Sequence, residues 1–101
     1  MTFNRYTKRP VTISAKQFTD PESANDIIQY ILDHDGNASF HCSDPTDPDD
    51  RVHTIRIRTL EGEMDASLND WVIEGLKGEF YPCKPDIFYA SYDLPATKDP
   101  R

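Results

Sequence analysis

Residues 54–68, TIRIRTLEGEMDASL, constrain this chain more than any other stretch, because two adjacent strands must agree on which face is apolar. A two-residue turn at Glu61-Gly62 uses the positive φ that glycine adopts at little cost. In that register Thr59 faces Met64, Arg58 faces Asp65, Ile57 faces Ala66 and Ile55 faces Leu68. Period-two alternation then puts Ile55, Ile57, Met64, Ala66 and Leu68 on one face. Arg56, Arg58 and Asp65 share the other, with an opposite-charge pair across the strands.

A second hairpin follows. Asn69-Asp70 reads as a tight turn, since both residues tolerate left-handed geometry and bond their own backbone. Residues 71–76 read as a strand, Lys77-Gly78 as its turn, and residues 79–82 as the return, which places Phe80 over Gly75 and Tyr81 opposite Glu74. Pro82 lacks an N–H and suits an edge strand. Pro85 fits the first turn of a short helix to about Tyr92, whose Phe88 and Tyr92 lie four apart and face the sheet.

Ahead of these hairpins, residues 11–18 alternate apolar and polar, predicting a strand with Val11, Ile13 and Ala15 inward. Ser23 and Asp26 resemble a capping box. Ala24, Ile27, Ile28, Ile31 and Leu32 make the apolar stripe of a helix from Ser23 to His34, with Gly36 as its C′ residue. Residues 37–42 read as a short strand around Phe40. Residues 43–51, with no apolar side chain and two prolines, read as a solvated loop. The expected fold is a single α+β domain over residues 11–93. It has a mostly antiparallel sheet of five or six strands, one longer helix and a short C-terminal helix. Residues 1–10 form a partly ordered lead-in and residues 94–101 a frayed tail.

Charge narrows the function. The 101 residues carry 18 Asp+Glu against 11 Lys+Arg, a formal net charge of -7, which argues against a grip on nucleic-acid phosphates. No apolar run approaches the ~20 residues of a membrane span. Two cysteines make no disulfide framework, and the cytoplasm is the expected location.

The acidic loop lacks EF-hand spacing, the glycine at its sixth position and a closing glutamate. Adjacent His41 and Cys42 point to opposite faces of a strand, so they do not ligate one ion together with His53 and Cys83. No metal and no cofactor is expected. Cys83 reads as an inert thiol at the sheet-to-helix corner. Arg56 and Arg58 read either as a solvated strand face or, with Lys77 and Lys84, as charge for phosphate or carboxylate; Trp71 reads either as core or, with the more exposed Tyr81, as a stacking face. Lys84 stands just ahead of the short helix, where a cation is unfavourable to the helix dipole. Replacement by Asp is therefore expected to spare the fold and weaken a ligand.

Three runs stand out as a pattern: Thr59-Leu60-Glu61-Gly62-Glu63-Met64, then Asp70-Trp71-Val72-Ile73-Glu74-Gly75, then residues 77–88, KGEFYPCKPDIF. They resemble a group of small proteins encoded by tailed phages and prophages, which share a Pro-Gly-Asp-Trp/Tyr turn followed by Gly-Glu-Phe-Tyr-Pro-Cys-Lys-Pro-Asp-Ile-Phe. The lead strand with Lys8, Pro10, Val11, Ile13, Ala15 and Gln17 is similar to theirs as well. The resemblance covers roughly two-thirds of the chain and departs at Leu68-Asn69, where the group has Pro-Gly. It implies a phage origin and no particular reaction. Joined to the residue reading, it gives a non-enzymatic, homo-oligomeric binding protein acting in counter-defence, which sequesters a small anionic host molecule such as a signalling nucleotide. The alternative is an acidic protein that occupies the basic groove of a host enzyme. A small enzyme comes third, for want of a nucleophile–base pair.

Overall fold

Asp20 starts the first helix. The computed structural model describes residues 2–7, 9–42 and 53–93; the expected acidic loop at 43–51 and the tail at 94–101 lie outside the described residues. The elements run β1 (Ser14–Gln17), α1 (Pro21–Asp33), β2 (Ala38–Cys42), β3 (His53–Thr59), β4 (Gly62–Ala66), β5 (Trp71–Glu74), β6 (Phe80–Cys83) and α2 (Pro85–Ser91). The fold is α+β and sheet-dominated. Its six strands divide into two antiparallel sheets, ordered β1-β5-β6 and β2-β3-β4.

Helix α1 begins earlier than the spacing of Ser23 and Asp26 suggests. Asp20 is the N-cap: its carboxylate accepts the Ser23 N–H at 2.7 Å, while Ser23 Oγ accepts the Thr19 and Asp20 N–H groups at 2.8 and 2.9 Å. Pro21 then occupies the first turn, where its missing donor costs nothing. At the other end Asp35, not Gly36, takes the left-handed position, with φ 66°. The Asp35 and Gly36 N–H groups bond back to Leu32 and Ile31 carbonyls, closing a Schellman motif. Gly36 is needed for a different reason: a Cβ there would lie 2.6 Å from Ile31 Cγ2.

The first hairpin keeps its predicted faces and changes its partners. The turn is Leu60-Glu61, so Thr59 pairs with Gly62, Arg58 with Glu63, Arg56 with Asp65 and Ile55 with Ala66. Thr59 sets this register: its Oγ1 donates to the Gly62 carbonyl at 2.7 Å and accepts the Glu61 N–H at 3.0 Å. A shift of two residues preserves alternation. Ile55, Ile57 and Ala66 are buried, whereas Met64 and Leu68, expected beside them, are exposed.

In the second hairpin the shift is one residue. Its loop has three residues, Leu76-Lys77-Gly78, closed by Gly75 N–H to the Glu79 carbonyl at 2.7 Å. Gly78 has φ 80°, the left-handed bulge position after a turn. Phe80 therefore pairs with Glu74, and Tyr81 with Ile73 instead of Glu74. Glu79, rather than Phe80, folds over Gly75, and its carboxylate accepts the Lys77 N–H at 2.9 Å.

Strand β1 is shorter than the alternation predicts, and Ala15 is exposed rather than inward. Among the described residues it is an edge strand, paired with β5 alone. The buried residue of this segment is Phe18, just past the strand end.

One core joins the parts. Val72 and Phe80 from the first sheet meet Phe18, Ala24, Ile27 and Ile31, with Ile55, Ile57 and Ala66 from the second sheet. Each fully buried isoleucine contributes about 1.5–3 kcal/mol. On the opposite face of the first sheet, α2 lays Phe88 flat on Trp71, with ring centroids 4.1 Å apart and planes 3° from parallel.

Ser23→Ala tests the α1 start. It strands two amide donors in a site where the residue is buried, so a loss of about 1–2 kcal/mol is expected in urea unfolding. Adding Asp20→Ala should cost less than its single effect, because the two residues form one box.

Candidate binding groove

Between α1 and the β1-β5-β6 sheet lies an open groove of about 360 Å³, within the size range of small-ligand sites. Its floor is apolar, from Ile27, Ile31, Val72 and Phe80, and its rim is polar, from Ser14, Lys16, Asp26, Tyr30 and Glu74. The floor residues reach it by helical spacing on α1 and by alternation on β5 and β6. Lys16 pairs with Val72 and Ser14 with Glu74 across the β1–β5 ladder, which brings them to the same face.

Tyr30 is the most tightly held rim residue. Its hydroxyl donates to Glu74 Oε1 at 2.6 Å, its ring stacks on His34 at 4.0 Å, and it meets the Phe80 edge at 6.0 Å. The hydrogen bond to the Glu74 carboxylate raises the Tyr30 pKa, with desolvation adding to it. Two carboxylates and one lysine line the groove. The wall behind it is more strongly acidic: residues 20–35 hold Asp20, Glu22, Asp26, Asp33 and Asp35 and no Lys or Arg, and all five carboxylate residues are exposed.

None of the six residues singled out from the sequence lines this groove, and the fold does not gather them. Arg56 and Arg58 lie on the face of the second sheet opposite Ile55 and Ile57. Arg56 makes a two-point contact with Asp65, Nε to Oδ1 at 3.0 Å and Nη2 to Oδ2 at 3.3 Å. This hydrogen bond holds the Asp65 carboxyl below the usual carboxylate range. Arg58 stands 4.0 Å from Glu63. Lys77 is at the tip of the β5–β6 loop.

Trp71, Tyr81 and Lys84 do share a region, where the first sheet meets α2. Phe88 covers one face of the Trp71 indole and Tyr89 meets it edge-on at 6.0 Å. Tyr81 is half-buried, and its pKa is pushed up to about 12 by burial, then by its hydrogen bond with Tyr92. Lys84 donates to both carboxylate oxygens of Asp70, at 3.3 and 3.1 Å. Burial pushes the Cys83 thiol up as well, with Asp70 and Asp86 adding to the effect, which opposes thiolate chemistry. Among the described residues no group of three or more His, Cys, Asp or Glu is placed to hold a metal ion. Among them, too, no helix is long and apolar enough to cross a membrane.

The fold and groove define a small α+β domain with a half-open apolar cleft and an acidic wall. Comparison with protein-family models, with curated proteins and with solved structures finds no match.

The Asp70 contact revises the expectation for Lys84. Lys84→Asp sets a second carboxylate against one that is buried, so it should lower stability by about 1–3 kcal/mol in thermal or urea unfolding. Unchanged stability would free Lys84 for another role. The Tyr81 phenol gives a second test. Its raised folded pKa means that its stabilising contribution is present below the ordinary tyrosine value of about 10 and is lost as pH rises through about 12. An ultraviolet titration should show a phenol that ionises near pH 12 and is absent in Tyr81→Phe, while the raised Tyr30 phenol remains in both.

Proposed function

We propose that this chain is a phage-derived, non-enzymatic binding protein that acts in the host cytoplasm. It recognises a basic partner, a protein segment carrying cations and aromatic or aliphatic side chains, through the groove and the acidic wall of α1. The observation that carries this reading is the unequal pairing of charge. Arg56, Arg58 and Lys84 are each set against a carboxylate of their own chain, while residues 20–35 hold five exposed acids and no Lys or Arg, and one of these acids, Asp26, stands on the cleft rim that Lys16 shares. An apolar floor holds a side chain, and the acids of α1 select for the charge beside it.

The phage origin rests on the sequence pattern, and Asn69 is consistent with it. It stands where the resembled proteins have Gly and takes φ 76°, so the turn keeps a left-handed residue at that position. The other reading, capture of a small anionic molecule such as a signalling nucleotide, draws on the nearness of Trp71, Tyr81 and Lys84. It would have to break the Lys84–Asp70 pair.

Fluorescence anisotropy separates the two. A short Arg- and Tyr-containing peptide should bind, weaken as salt is raised, and lose at least about tenfold in affinity in the Glu22→Lys/Asp26→Lys chain, or ~1.4 kcal/mol. Nucleotide binding that survives this double reversal and disappears in Lys84→Ala would instead establish the anionic-ligand reading.

A further inference from the structure

The segment ahead of β1 is the chemical complement of the α1 wall. Residues 1–10 contain Arg5, Lys8 and Arg9 and no acid, whereas residues 20–35 contain five acids and no Lys or Arg. The segment also presents two aromatic rings with nothing covering them: Phe3 is 95% exposed and Tyr6 87%. Burying rings of this size against a partner removes a large apolar area from water, and the body of their own chain does not do so. Residues 2–7, 9 and 10 carry no helix or strand.

The lengths agree. Extended chain advances ~3.3–3.6 Å per residue, so residues 3–9 span about 20 Å. Helix α1 has 13 residues, and at 1.5 Å per residue it is also about 20 Å long. A segment lying along the helix can therefore set its aromatic rings at the cleft floor of Ile27, Val72 and Phe80 while its cations meet Asp26 and the other α1 carboxylates.

From this complementarity we propose that the groove and acidic wall of one copy receive the segment of residues 3–9 from a second copy, making a homodimer by exchange of these segments. The proposal rests on the reading of the groove as a site for basic, aromatic peptide, and it names the occupant. A host partner would then compete with the segment for the same surface.

Sedimentation and light scattering of the full chain test it. The wild-type protein should show twice the 11.6 kDa chain mass and dissociate as salt is raised. Phe3→Ser/Tyr6→Ser and, separately, Arg5→Glu/Arg9→Glu should be monomeric, and so should Glu22→Lys/Asp26→Lys. Mixing the Arg5→Glu/Arg9→Glu chain with the Glu22→Lys/Asp26→Lys chain should restore a dimer, since the reversed segment meets the reversed wall and the wild-type segment meets the wild-type wall. A wild-type monomer, or a dimer untouched by the segment substitutions, would overturn the exchange. The basic peptide distinguishes that failure from failure of the groove reading. The Phe3→Ser/Tyr6→Ser chain, whose groove receives no segment, should bind the peptide whether or not the wild type dimerises. If the wild type is monomeric yet binds the peptide, the groove stands and the exchange falls.

Discussion

The buried carboxylate of Asp70 holds together parts of the chain that are far apart in sequence. It is 3% exposed, accepts the Ser67 N–H at 2.8 Å, and takes both hydrogen bonds from Lys84. Its backbone carbonyl accepts the Phe18 N–H at 2.9 Å, and the Phe18 carbonyl in turn accepts the Asn69 N–H at 2.6 Å. The end of β4, the start of β5, the end of β1 and the start of α2 thus meet at one residue. A charge in such a place is costly unless paired and hydrogen-bonded, and here all its partners come from these four junctions. The order of β1 beside β5, and the seat of α2 on Trp71, follow from the same knot.

What the sequence reveals about this fold is parity, and what it conceals is register. Alternation in residues 54–68 identifies the inward residues Ile55, Ile57 and Ala66, because every strand obeys the period of two. It does not distinguish a turn at Glu61-Gly62 from one at Leu60-Glu61, since both preserve the faces. Thr59 decides between them through two hydrogen bonds that no hydrophobic pattern encodes. The β5–β6 loop shows the same gap differently. Lys77-Gly78 looks like a two-residue turn, yet Gly78 serves as the bulge of a three-residue loop, and each partner moves by one. For α1, the apolar stripe locates Ala24, Ile27 and Ile31 correctly, while the cap lies three residues earlier. Asp20-Pro21, between the predicted strand and the predicted helix, suits the end of the one and the start of the other equally.

The groove was less legible than the fold, for a physical reason. Its lining comes from Ser14 and Lys16, from α1, from Val72 and Glu74, and from Phe80, so it exists only after the first sheet has formed and α1 has packed on it. Choosing site residues by the sign of their charge favoured Arg56, Arg58 and Lys84. Charge on a side chain says nothing about whether a carboxylate of the same chain already satisfies it. The sequence did contain one usable signal: sixteen consecutive residues, 20–35, hold five acids and no Lys or Arg.

That signal is more informative once the helix is known. Glu22 in the first turn complements the positive end of the helix dipole, and Asp20 is held below the usual carboxylate range chiefly by its hydrogen bonds from Ser23. The other end is different. Asp33 lies in the last turn, where no basic residue is present, and Asp35 follows it in left-handed geometry. Carboxylates near a helix C-terminus oppose the dipole by about 0.3–1 kcal/mol each when weakly screened. Stability of α1 would favour Lys or Arg there, and a lysine four residues after an acid would add a pair along the helix. Gln29 Nε2 bonds Asp33 at 2.9 Å, which steadies that carboxylate without neutralising it. A helix that departs from its own electrostatic preference beside an apolar cleft is a local conflict that the stability of the helix does not explain.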